Sequence, residues 1–416
     1  QYFKNRLYYI DVKGMLSSLH GSAGAITALQ NSVAHYYQRA SSADYLGVDP
    51  TRRSLTGTGG YVKVGRKGNA KWNFSETFTW SSPGFDLNDM GYMKETDYLM
   101  NETEIMYRQT DIWKIFRYNA FTLSQKNMWN YGGTPFSNNA SLRWQSMTMN
   151  RYEWDVKETF AWNWLDSRLL RGGPDVRFGS YFLTSAKFNT DKAKRMMFML
   201  KYEGDHNFEG NRFNTISPSL TFRLGNHVYL SGQLDYAWNT DEMQYVATTS
   251  PLSSSSLTPY YYVMGHMDQK TYGLTLKLQV NVTPDISIQF YGAPFTSIAK
   301  YDDFKLAADT KSHTFENRFQ RIDPDHLTYA DGVYTIGEGA GQMPFRNPDF
   351  RFNEFRSNLV ARWEYLPGST LYFVWEHRMS NRDNWYSSGW GSNLDRMWGL
   401  PATNTFMIKM NYWFNL

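Results

Sequence analysis

Between Thr271 and Val282 the chain alternates without interruption. Tyr272, Leu274, Leu276, Leu278, Val280 and Val282 fall on one side, and Thr271, Gly273, Thr275, Lys277, Gln279 and Asn281 on the other. Successive side chains of a strand point to opposite faces, so this segment predicts a strand with one apolar and one polar wall. The same pattern marks Ile216–Leu224, then Val228–Trp238 after Gly225-Asn226, a short-hairpin signal. Thr283-Pro284-Asp285 predicts the turn to Ile286, Ile288 and Phe290, and Leu366–Ser369 the turn between Leu359–Tyr365 and Leu371–Trp375. Asn150-Arg151 and Asp191-Lys192 mark further turns. The chain closes on another alternating run, Phe406, Ile408, Met410, Tyr412, Phe414 and Leu416, which resembles the terminal signal read by the outer-membrane barrel-assembly machinery.

Longer connections are predicted at 20–58, 82–97, 126–137, 166–176, 250–258, 301–352 and 382–402. Short turns at one end and long loops at the other is the sidedness of an outer-membrane barrel. The pattern therefore predicts an all-β fold: a transmembrane antiparallel up-and-down β-barrel of about sixteen strands, one domain over residues 1–416 with an N-terminal part missing. The strands near 98–125 alternate poorly.

Composition sharpens this picture. Mean hydropathy is −0.58, and no apolar stretch is long enough for a membrane helix, which needs about 18 residues. A barrel strand meets lipid only at every second residue, so low hydropathy does not oppose a membrane location. Aromatic residues make up 17% of the chain, with 15 Trp and 30 Tyr, an excess that suits interfacial girdles. Cysteine is absent, which removes disulfides and thiolate chemistry. A net charge of +4 is small for 416 residues and argues against a nucleic-acid partner.

One near-repeat cuts across the simple pattern. Trp72, Phe74, Glu76, Phe78 and Trp80 match Trp154, Val156, Glu158, Phe160 and Trp162. Each set shares one strand face, and the two tryptophans lie about 27 Å apart along a strand, close to the height of an apolar band. Glu76 and Glu158 would then stand near mid-membrane, where a carboxylate facing lipid is unfavourable. Either a β-bulge turns both inward or these strands face a protein partner; the bulge or an inward face is the favoured expectation.

Several segments together resemble a known family. They are Tyr36–Arg39, Asp49–Arg52, Ser82–Tyr92, Met267–Thr271, Pro284–Tyr291 and Arg362–Tyr372. They resemble the C-terminal barrel of a Bacteroidota outer-membrane family of unestablished function, whose members commonly carry a carbohydrate-binding, family 9-like module ahead of it. The resemblance implies a barrel in the bacterial outer membrane and tilts its partners toward glycans. It supplies no catalytic residue, and this chain is expected to depart from the family in lacking that module ahead of Gln1.

The residues themselves offer several candidate sites. On polar strand faces, Lys277, Arg362, Glu364, Glu376, Arg378 and Lys409 are candidate lumen charges, with a charged ladder predicted across the Leu366–Ser369 turn. Glu76 and Glu158 are candidate partner-facing carboxylates. The loop Ser82–Tyr92 could act as a lid or as a packed loop. Asp302-Asp303, Asp323-Pro324-Asp325 and Asp331-Gly332 read as solvated acidic turns, without the glycine and closing glutamate of an EF-hand. Tyr260–Tyr262, Trp385, Tyr386, Trp390 and Trp398 could stack on sugars or form a girdle. The eight histidines are scattered, and no G-x-S-x-G motif occurs.

These readings predict no cofactor, no metal and no enzyme. They predict a barrel subunit of a surface transport or assembly complex, or a conduit. The alternative is a plugged barrel that docks lipoproteins or other barrels; an outer-membrane hydrolase ranks last. The expected partners are membrane lipids, proteins of those kinds and a glycan.

Overall fold

The computed structural model describes residues 2–3, 7–39, 45–68, 70–88, 91–162, 164–252, 260–384 and 390–414. Among the described residues sixteen long strands of one sheet follow one another, with short strands in some of their connections. They are β1 (Tyr8–His20), β2 (Ser54–Arg66), β3 (Trp72–Ser81), β4 (Tyr98–Gln109), β5 (Phe116–Trp129), β6 (Pro135–Thr148), β7 (Glu153–Trp162) and β8 (Tyr181–Asn189), then β9 (Met196–Asn207), β10 (Arg212–Leu224), β11 (Val228–Thr249), β12 (Tyr261–Asn281), β13 (Ile286–Ala307), β14 (Phe350–Leu366), β15 (Ser369–Asp383) and β16 (Thr403–Asn411). Each pairs antiparallel with the next, so the ladder is an uninterrupted meander. No ladder joins β1 to β16 among the described residues. Tyr2–Phe3 pairs with Tyr8–Tyr9.

Direct antiparallel partners point to the same side, so the register carries each face from strand to strand. Leu230, Leu278, Phe290, Leu359, Trp375 and Phe406 form one such row. The apolar face is uncovered over much of its area: Leu16, Val62, Leu123, Leu142, Leu220, Leu276 and Ile408 are all exposed. The opposite face carries Lys63, Glu104, Arg143, Asp155, Lys277 and Arg362. A second layer packed on the apolar side would bury those side chains, as in a sandwich; here the wall stands open.

Turn chemistry follows the predicted signals. Gly225 has φ +64° and Gly368 φ +78°, values that a residue without Cβ adopts without strain. At one end every connection is short, including 149–152, 225–227, 282–285 and 367–368. At the other end lie 21–53, 82–97, 163–180, 308–349 and 384–402. Two connections there depart from expectation. The predicted long loop 126–137 is a tight turn, because β5 runs to Trp129, β6 starts at Pro135, and Asn130 accepts the Thr134 amide (2.8 Å). The connection 208–211 is equally short.

β11, β12 and β13 are 22, 21 and 22 residues long and outreach their neighbours. Register shifts at Asp241/Gln244 and Met264/His266 mark where they leave the regular wall. Beyond the shifts both sides are covered. Val263, Phe304 and Leu306 pack on Ile336 and Phe345 of a three-stranded sheet (Leu327–Ala330, Val333–Ile336, Met343–Arg346). Met243 and Met264 pack on Leu170 and Val176 from the β7–β8 connection. The segment expected as a loop from 301 to 352 thus begins as strand and contains a sheet. Its hydrophobic residues find each other only after the long strands bring them together.

Two α-helices lie among the described residues. α1 (Ala23–Gln30) is capped by Ser22, whose Oγ accepts the Ala25 amide (3.2 Å), and buries Ile26 against Tyr37 and Leu55. α2 (Trp390–Trp398) lies on the upper apolar face of β13–β15, where the Trp398 ring meets Phe355 and Asn393 meets Arg351.

Candidate functional site

The wall's most composite feature is a pair of adjoining cavities on its polar face. They are separated by a short hairpin in which Trp164–Asp166 pairs with Val176–Phe178. The hairpin is held from within and from outside. The Asp166 carboxylate accepts the amides of Arg168 (2.7 Å) and Leu169 (3.0 Å), which turns the chain. The Asp175 carbonyl accepts from Thr310 Oγ1 (2.7 Å), and Leu170 and Val176 are fully buried.

One cavity, of about 360 Å³, opens beside β4–β6. Its floor is the ion pair Arg39–Asp97 (2.9 Å), buried on both sides. Asp97 also accepts from Tyr45 Oη (2.6 Å) and from the Tyr131 amide (3.1 Å). Burial and that bond to a carboxylate push the Tyr45 phenol upward. Arg168 and Glu95 pair across the mouth (3.2 Å), with Lys126, Asn139 and Phe136 around them. The other cavity, of about 430 Å³, opens beside β8–β11. Trp164, Phe178, Tyr181 and Phe213 supply its rings, and Asp205, Asp241 and Asn239 its polar groups. Trp164 and Asp166 line both cavities. Each volume suits a small polar ligand, and rings beside carboxylates and amides suit hydroxyl-bearing ones.

The six candidate lumen charges all lie on the polar face by register. Lys277 sits between Ser231 and Tyr291. Arg362 pairs with Glu364 on its own strand (2.5 Å), and Lys409 stands 6.0 Å from the Tyr372 ring. The ladder predicted across the turn takes a different form. Arg378 pairs with Glu354 (3.0 Å), which also holds Arg356 (2.8 Å), while Glu376 faces Asn358 and Thr405. The tight turn sets this register and places Tyr372, not Glu376, opposite Arg362.

Glu76 and Glu158 correct the bulge expectation. β3 and β7 pair with both neighbours without a register shift, so each glutamate stays on the face of its flanking aromatics. Side chains on adjacent strands satisfy the carboxylates in place. Glu76 accepts from Asn101 Nδ2 and from Thr103 Oγ1 (2.6 Å), and Glu158 from Thr184 Oγ1 (2.6 Å). Cross-strand hydroxyl and amide donors remove the need for a bulge.

The Ser82–Tyr92 loop packs on β1 and β2: Ser82 N–H donates to the Thr58 carbonyl (2.8 Å), Asp86 N–H to Ser17 Oγ (2.8 Å), and Phe85 is buried. Its residues Asp89 and Met90 lie outside the described residues, as do Trp385, Tyr386 and Leu416. Among the described residues no group of three His, Cys, Asp or Glu side chains is placed to hold a metal. Sequence reasoning missed Arg39, Asp97 and Trp164, which lie in connections without periodicity.

The fold and site define an all-β protein built on one antiparallel sheet with an apolar and a polar face. Residues 21–416 match the model of a family described as a domain of unknown function, DUF5916, and the chain belongs to that family. No curated protein and no solved structure matches it.

Proposed function

We propose that this chain forms the wall of a β-barrel in a bacterial outer membrane, with water on its polar face and lipid on its apolar face. One observation carries the reading: along a sixteen-strand meander, the apolar face is left open to the surroundings over much of its area. Exposed Leu, Ile, Val and Phe over much of a wall this large would drive aggregation in water but match hydrocarbon. Strands of 9–22 residues also suffice, since a tilted crossing takes about 9–11.

The polar interior then serves as a conduit or receptacle for hydrophilic cargo. The two cavities flanking Trp164 are its narrow part, and their rings, amides and carboxylates favour a hydroxyl-rich solute such as a glycan. The test is reconstitution of the full chain in planar bilayers and liposomes. Stepwise conductance that changes when the 164–178 hairpin is deleted supports a conduit. Failure to enter bilayers overturns the barrel reading.

A second reading has its own support. Loops fold over the polar face and are anchored there by the buried Arg318–Glu209 pair (2.8 Å). That arrangement favours a plugged barrel that docks lipoproteins or other barrels. It predicts no conductance from a chain that nevertheless inserts.

A further inference from the structure

The two halves of the apolar face differ. On β9–β13 the central rows are apolar throughout, for example Leu220, Leu234, Leu274, Leu276 and Phe290. On β3–β8 the same face holds Glu76 and Glu158 and, between them, a cross-strand amide row, Asn101, Asn127 and Asn138, beside Thr103 and Gln125. Among the described residues in regular register on β3–β8, this face carries two carboxylates and no Lys, Arg or His. Leu123 (55% exposed), Leu142 (56%) and Ile105 (43%) stand proud beside the polar row.

Neighbours satisfy part of each carboxylate, but an ionised group facing hydrocarbon remains unfavourable on a barrel's lipid face. Acyl chains offer no donor to offset that. A second copy docking through the same wall would add two more carboxylates and no base. We propose that the β3–β8 wall is the docking face for a different membrane-embedded polypeptide, whose apolar surface carries a lysine or arginine at the depth of Glu76 and Glu158. Charge complementarity selects the base, and the amide row supplies hydrogen bonds that fix the register of the two surfaces.

This inference rests on the membrane reading, and one experiment separates the two. A photoreactive phenylalanine analogue is placed at Ile105, next to Glu76, in the full-length chain in its native cells. A control chain carries it at Leu276 on the opposite wall. After illumination, membranes are isolated and cross-linked peptides sequenced. The expected result is one discrete adduct from Ile105, to an apolar segment of another protein bearing Lys or Arg, and none from Leu276. Its yield falls at least tenfold in the E76Q/E158Q double variant, which keeps the side-chain shape and an acceptor oxygen. Lipid adducts alone at both positions, a peptide from a second copy, a linked segment without a base, or a yield indifferent to E76Q/E158Q each overturn the docking proposal while leaving the barrel intact. The comparison of Ile105 with Leu276 needs no variant at the glutamates, so it stands if the double variant fails to fold. Absence of the chain from the membrane fraction overturns both readings.

Discussion

Single side chains at the looped end of the sheet are held by charge in dry places. The Arg318 guanidinium is 1% exposed and reaches Glu209, the carbonyls of Arg177 (2.8 Å) and Ser312 (2.8 Å), and that of His313 (3.3 Å). Removing it strands a mostly buried carboxylate and several carbonyls. Arg318→Ala should cost about 3–5 kcal/mol, in line with breaking buried pairs elsewhere. The checks are unfolding in detergent and faster proteolysis within 308–318. His35 offers a pH test. It is fully buried, with Nε2 3.7 Å from Asp86. Burial lowers its pKa below the ordinary 6.5, and the nearby carboxylate only partly opposes this. The unfolded chain therefore takes up a proton first as pH falls. The contribution of His35 to stability should be full above about pH 6.5 and lost as pH drops through the lower folded value. Hydrogen exchange around residues 32–39 should rise in that window, and His35→Gln should flatten the response.

At the scale of elements, close backbone approach locks loops onto strands. A Cβ at Gly84 would sit 2.3 Å from the Thr56 carbonyl oxygen, and one at Gly57 would sit 2.1 Å from the Phe85 nitrogen. The Ser82–Asn88 turn thus seats on β2 only because both positions lack a side chain. Gly84→Val should expel the turn and expose Phe85, raising protease sensitivity at 82–88 while leaving the strand content measured by circular dichroism within a few per cent. Elements also explain which strands were legible. β10 to β13 alternate cleanly because the central rows of their apolar face hold no polar side chain. β4 and β5 looked irregular, yet they pair regularly through their central rows. Asn101, Thr103, Asn119, Gln125 and Asn127 sit on the apolar side and blur the pattern. The weak alternation was therefore a trace of the polar row on that wall and not of a missing strand.

For the whole molecule, the two faces make opposite demands. A cation at Leu276 would enter the apolar wall, whereas one at its neighbour Thr275 would enter the polar face. Leu276→Arg should weaken folding into liposomes by about 2–4 kcal/mol, and Thr275→Arg by less than about 1. The measurement is the folded fraction after urea dilution into vesicles. Equal effects would mean the two faces see the same surroundings, and the membrane reading would fall. The missing ladder between β1 and β16 among the described residues belongs to the same scale: every residue of β16 is exposed. Exposed edges of this kind invite strand pairing.

Sequence alone determined the local rules. Alternation set which residues share a face, glycine and asparagine set the tight turns, and the count of about sixteen strands followed from both. Those properties depend on neighbours one or two residues away, so a linear pattern carries them. Tertiary structure alone decided the rest. It set the partners of Glu76 and Glu158, the pairing of Arg378 with Glu354, the hairpin around Trp164 and the buried Arg39–Asp97 pair. Each joins groups far apart in the chain or on different strands, where register and loop packing, not periodicity, bring a donor to its acceptor.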